Sequence, residues 1–156
     1  MNITIDRSSR EPVYEQISRQ IEGLVRQGLL TPGARIPCAM RLQFHTLDVF
    51  TSTRFGGNPL AVVMGADGLS TAQMQAVARE FNLSETIFVQ TPESAANSAK
   101  VRIFYPNGEM PFAGHPTLGC AILLAEMNHK PGCSFETEIR LEELAGLVPV
   151  RLTRGR

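Results

Sequence analysis

An α+β domain is predicted over residues 41–156, preceded by a separate amphipathic helix. Three observations lead there. From Arg41 onward, six short stretches alternate apolar and polar residues or run apolar for about five positions, as strands do. Two segments of helical period lie among them. Before residue 41 the apolar period is helical and ends in a Pro/Gly-rich turn. With 156 residues the chain has the size of one ordinary domain, enough to bury ~70% of the surface exposed by its unfolded form.

Composition narrows the class. Hydrophobic residues make up 43% and charged residues 19%, with fifteen cations balanced by fifteen anions. That excludes a highly charged disordered tail or a polyanion-coating protein. All cations except Lys100 and Lys130 are arginine, and no function is read from that bias. The segment Met1–Arg7 lacks the charged-then-apolar layout of a secretory signal, and no apolar run approaches the ~18 residues of a membrane span. A cytoplasmic location without membrane association is expected. Cys38, Cys120 and Cys133 are odd in number and share no CxxC or His-paired spacing. Neither a disulfide framework nor a metal site is suggested, and the thiols are expected to be reduced and mostly buried.

In chain order, Glu11-Pro12 opens the first helix, since proline suits the first helical position. Val13, Ile17, Ile21 and Leu24 recur along one face, and Gly28 stops it. Residues 30–37 form a turn and a short extended piece. In the next segment Leu42, Phe44, Thr46 and Asp48 alternate with Gln43, His45, Leu47 and Val49 as a strand. Gly56-Gly57-Asn58-Pro59 turns into a buried strand, Leu60 to Met64. Ser70 and Gln73 form a capping-box pair ahead of Met74, Val77, Ala78 and Phe81, a helix ending near Asn82. Strands follow at Thr86 to Gln90 and Val101 to Tyr105, a helix from Pro116 through Met127, and closing strands at Ser134 to Arg140 and Leu147 to Leu152.

Two stretches fit pure packing less well. In Asn82-Leu83-Ser84-Glu85-Thr86 a carboxylate stands where a helix gives way to an apolar strand. Partial desolvation there would raise its pKa and suit it to move protons; a loop-capping or solvent-facing glutamate is the alternative. Phe112 through Gly119 is a glycine-bearing turn into a helix. The free N–H groups of such a start can seat a substrate carboxylate or a developing enolate. His115, taken alone, reads as a structural or capping histidine.

Residues 3 to 37, with Glu11-Pro12-Val13-Tyr14-Glu15-Gln16-Ile17 and Gly28 through Pro37, resemble the first helix and following turn of GntR-class winged helix-turn-helix repressors. The base-reading helix and wing of that class have no counterpart after Pro37. Residues 1–40 are therefore read as a vestigial helix and turn without specific DNA binding.

Residues 41–156 resemble the N-terminal half of the PhzF isomerases of phenazine biosynthesis. The likeness is carried by Asp48-Val49-Phe50-Thr51, Phe55 through Val63, Gln73 through Thr86, Ile103-Phe104, and Pro111 through Gly119. It implies a single lobe of the diaminopimelate-epimerase-like fold, a curved sheet around a central helix. It also implies a cofactor-independent isomerase that relocates a proton on a small cyclic carboxylic acid such as dihydro-hydroxyanthranilate. The family's acid/base glutamate falls on Glu85 and its active-site histidine on His115, while Asn58, Ser84 and Gly114 fall on the substrate-binding surface. Ala113 stands where related racemases carry a catalytic cysteine, which argues against a two-thiol mechanism.

Family members continue into a second lobe, so half an active site and self-association, for example as a homodimer, are expected. A catalytically inactive fusion or truncation product is the alternative, and a GntR-derived regulator a weaker one.

Overall fold

The computed structural model describes residues 4–6, 8–9, 11–28 and 42–155. Contacts divide the chain into two units, Met1–Met40 and Arg41–Arg156. The first contains α1, Val13–Arg26. Pro12 is its N-cap and not its first helical residue, so the helix starts one residue later than expected, and Gly28 ends it with φ +69°, a conformation that glycine adopts without strain. Gln16, buried in the first turn, accepts from the Asp6 N–H and donates to the carbonyls of Asp6 and Glu11. Gln20 does the same for both backbone groups of Thr4. Two glutamines thus tie the extended start of the chain to the helix. The predicted turn at residues 30–37, and Cys38, lie outside the described residues.

The second unit is one curled sheet with a helix on each face. Its strands are β1 (Gln43–Val49), β2 (Asn58–Met64), β3 (Glu85–Gln90), β4 (Ala99–Tyr105), β5 (Gly108–Met110), β6 (Phe135–Glu143) and β7 (Gly146–Arg154). They run β1-β2-β3-β4-β6-β7, with β5 paired to β4. The β2–β3 and β4–β6 pairs are parallel and the others antiparallel. One flank of β4 is shared, its first residues pairing with β6 and its last with β5.

Helix α2 (Thr71–Phe81) makes the parallel β2-to-β3 crossover. Both bonds of the expected capping box are present, Ser70 Oγ accepting from the Gln73 N–H and Gln73 Oε1 from the Ser70 N–H. Asn82 ends the helix in the left-handed region. The residues of α2 pack on Val63, Phe88 and Phe104, the two rings meeting edge to face at 5.4 Å.

Helix α3 (Gly114–Asn128) fills the concave face against β1, β2, β3, β6 and β7. Its core partners include Leu60, Val62, Ile87, Ile103 and Leu141, each contributing about 1.5–3 kcal/mol on burial. This helix begins two residues earlier than expected, so Gly114 and His115 belong to its first turn. Both closing strands are longer than their sequence pattern predicted, and the three-residue β5 was not foreseen.

Candidate active site

Strand alternation aims Glu85, the first residue of β3, to the same face as Ile87 and Val89, toward α3. His115 lies in the first turn of α3. The two segments converge, and His115 Nε2 stands 3.2 Å from Glu85 Oε2. Their side chains are 11% and 18% exposed. The distance suits a hydrogen bond but the alignment does not, so both atoms are buried without a hydrogen-bond partner. Native folds pair nearly all buried polar atoms. A carboxylate and an imidazole held together with free valences are groups that can exchange protons with a third molecule.

The other expected site residues are placed as follows. Ser84 is exposed and immediately precedes Glu85. Asn58 is exposed at the start of β2, two residues before Leu60, which pairs with Glu85 across the parallel ladder. The two-residue period puts Asn58 on the face of Glu85, at the same end of the sheet. Gly114 heads α3 with an exposed backbone, and a Cβ added there would meet nothing within 4 Å. Packing within the lobe thus leaves the space above Gly114 open. The first N–H groups of the helix lack intrahelical acceptors and carry its positive end.

Two links hold this segment to the β6–β7 turn. The Ala145 N–H donates to the Pro111 carbonyl at 3.1 Å. Thr117 Oγ1 lies 2.7 Å from the Ala113 carbonyl and 2.6 Å from Glu143 Oε1. Glu143 is buried, 8% exposed, and burial pushes its carboxyl above the ordinary range, against a smaller opposite effect of Thr117. The sequence reading missed it. The signal was the alternation Ile139, Leu141, Glu143, which places a carboxylate on the inward face of β6.

Cys120, fully buried in α3, is pushed up to about 12, first by burial and then by Glu143. A thiol held so firmly protonated is a packing group and no nucleophile. Cys133 is exposed, unlike the buried thiol expected. Among the described residues no cluster of three or more His, Cys, Asp or Glu could hold a metal ion, and no helix is long and apolar enough to cross a membrane.

Two cavities among the described residues include neither Glu85 nor His115. One of about 510 Å³ lies beside Leu83, Pro59, Asp48 and Phe55. Another of about 590 Å³ lies between Arg102, Lys100, Glu142 and Glu143.

Residues 47–156 match the family described as phenazine biosynthesis-like protein, PhzC-PhzF. The chain belongs to this family. It is 53% identical over 109 residues to an uncharacterized isomerase of Mesorhizobium japonicum, covering 70% of this chain and 34% of that protein. It is 43% identical over 112 residues to the trans-2,3-dihydro-3-hydroxyanthranilate isomerase of Pseudomonas aeruginosa, covering 72% and 38% respectively. A solved structure of a predicted epimerase from Pseudomonas aeruginosa superposes with a TM-score of 0.65 at 36% identity, over 74% of this chain and 39% of that one. The PhzF chain thus spans little more than a third of the length of these relatives. Its lobe has the diaminopimelate-epimerase-like fold that the sequence predicted.

Proposed function

We propose that the PhzF lobe supplies the proton-moving half of a cofactor-independent isomerase acting on a small cyclic carboxylic acid. The observation that carries this reading is the unpartnered Glu85–His115 pair at 3.2 Å, in a chain whose relatives include a trans-2,3-dihydro-3-hydroxyanthranilate isomerase. Glu85, as carboxylate, takes a proton from a carbon beside the substrate's unsaturated system. The electron pair left behind delocalises, and its charge faces the amide end of α3 at Gly114 and His115. Glu85, now the acid, returns the proton to a different carbon, so the substrate is isomerised with no net change in atoms or electrons. His115 orients the Glu85 carboxyl, and Asn58 and Ser84 line the approach.

The lobe acts in this reading as a pair of copies. Phe55 is 91% exposed and Leu144 62%, and exposed apolar side chains of this size favour association. A second copy related by a two-fold axis would cover them.

Deuterium exchange from solvent into trans-2,3-dihydro-3-hydroxyanthranilate and related cyclic acids tests the proposal. Exchange is expected with the wild type and lost in Glu85→Gln. Absence of exchange across the panel in the wild type would favour the inactive alternative. Exchange unchanged in Glu85→Gln would remove Glu85 as the base.

A further inference from the structure

The hydroxyl of Thr117 has one proton and two close acceptors. It lies 2.7 Å from the Ala113 carbonyl oxygen, which can only accept, and 2.6 Å from Glu143 Oε1. If Glu143 were a carboxylate, three oxygens would share a single proton and one short contact would be repulsive. Both contacts are satisfied when Glu143 brings a proton of its own. We propose that Glu143 is held as the carboxylic acid, donating from Oε1 to Thr117 Oγ1 while Thr117 donates to the Ala113 carbonyl, and that this chain positions the first turn of α3 carrying His115.

The surroundings agree. Oε2 of Glu143 is buried without a partner, which costs less for an acid's carbonyl oxygen than for a carboxylate oxygen. Among the described residues no cation pairs with Glu143. Lys100 and Arg102, which share its cavity from β4, are engaged by Glu93 and Glu109. Cys120, facing it from α3, is fully buried, and burial, the larger cause of its raised value, keeps it from adding a charge. Glu93 lies across the same cavity. Glu142 is its neighbour on β6 and accepts from Asn97 and from the N–H groups of Glu93 and Ser94. From β7, Gly146 and Leu147 add no charge. Burial raises the Glu143 carboxyl in the same direction. Together with the Ala145-to-Pro111 bond, the chain clamps both sides of Ala113, Gly114 and His115.

The positioning role rests on the Glu85–His115 site proposed above, and its test needs no turnover. Infrared spectra of the full chain at neutral pH should show a carboxylic-acid carbonyl band that disappears in Glu143→Gln. Only carboxylate absorption at that position would overturn the assignment. In NMR spectra Glu143→Gln, whose amide N–H₂ still donates to Thr117, should leave the His115 ring and the amides of Gly114 and Thr117 where they are in the wild type. Glu143→Leu should move all three. Thr117→Val keeps volume, removes the hydroxyl and should move the His115 ring and the Gly114 amide, should Glu143→Leu fail to fold. Resonances that stay put in Thr117→Val, or that move in Glu143→Gln, would overturn the positioning role. A chain that fails to exchange deuterium but shows the acid band and these shifts would refute the isomerase reading while leaving the Glu143 relay standing.

Discussion

Gly119 of α3 is seated directly on Leu60 of β2: a Cβ on Gly119 would stand 2.7 Å from Leu60 Cδ2 and 2.8 Å from Val49 Cγ2. Leu60 is also the ladder partner of Glu85. The depth at which α3 sits on the sheet therefore sets how near His115 comes to Glu85.

Gly119→Ala is expected to lift the helix, cost about 1–3 kcal/mol of stability through overpacking, and weaken the Glu85–His115 approach. Gly114→Ala meets no protein atom and is expected to leave stability within about 0.5 kcal/mol of wild type while lowering exchange activity. Urea denaturation beside the deuterium assay separates the two. Equal stability in both variants would contradict the packing argument.

Removing the base costs more than removing its partner. Glu85→Gln is expected to reduce proton exchange by about 10²–10⁴-fold, the range for general acid–base groups. His115→Ala should reduce it less and disturb α3 more, which amide hydrogen exchange at the helix start would reveal. A larger loss in His115→Ala than in Glu85→Gln would reverse the assigned roles.

Two adjacent glutamates should give opposite pH dependences. Burial raises Glu143, so the folded state holds a proton that the unfolded chain releases. Its contribution is fully present below the ordinary carboxylate value and is lost as pH rises through the raised one. Glu142 is lowered, chiefly by Asn97 and then by the N–H groups of Glu93 and Ser94. Its contribution is present above the ordinary value and is lost as pH falls through the lowered one. Denaturation midpoints across pH should lose the upper slope in Glu143→Gln and the lower one in Glu142→Gln. Parallel curves for wild type and Glu143→Gln would count against a buried acid.

Self-association is expected from exposed apolar side chains such as Phe55 and Leu144. Light scattering on serial dilution should show a dimer that dissociates, and Phe55→Ser should shift it toward monomer. A clean monomer at every concentration argues against paired lobes.

Residues 1–40 should not select a DNA sequence. Fluorescence anisotropy against a mixed operator library should show only binding that about 200 mM salt removes, as phosphate contacts do. Sequence-selective binding that survives this condition would restore the regulator reading.

Periodicity made most of the fold legible. Ser70 and Gln73 announced α2, and alternation announced β1, because each pattern has a direct backbone cause. Gly108–Met110 is too short to alternate, so β5 was invisible. The start of α3 was misjudged because Ala113 caps it with no side-chain bond, leaving Pro116 as the visible signal. The motifs around Glu85 and His115 singled them out as candidates, but their 3.2 Å approach depends on a crossover and a helix that no local pattern encodes. Glu143 escaped notice because Glu142-Glu143 looks like a solvated pair until the strand's facing is known.

The edge of the sheet at β7 has a consequence for how the protein behaves in concentrated solution. Among the described residues this strand pairs on one side only, with β6. Pro149 in its middle has no amide hydrogen to offer a newcomer, and Arg151 stands 88% exposed beside it. Open strands recruit further strands and seed fibrils; this one carries two features that discourage such stacking. At this edge, contacts between molecules are thereby steered away from endless ladder growth and toward closed, countable assemblies.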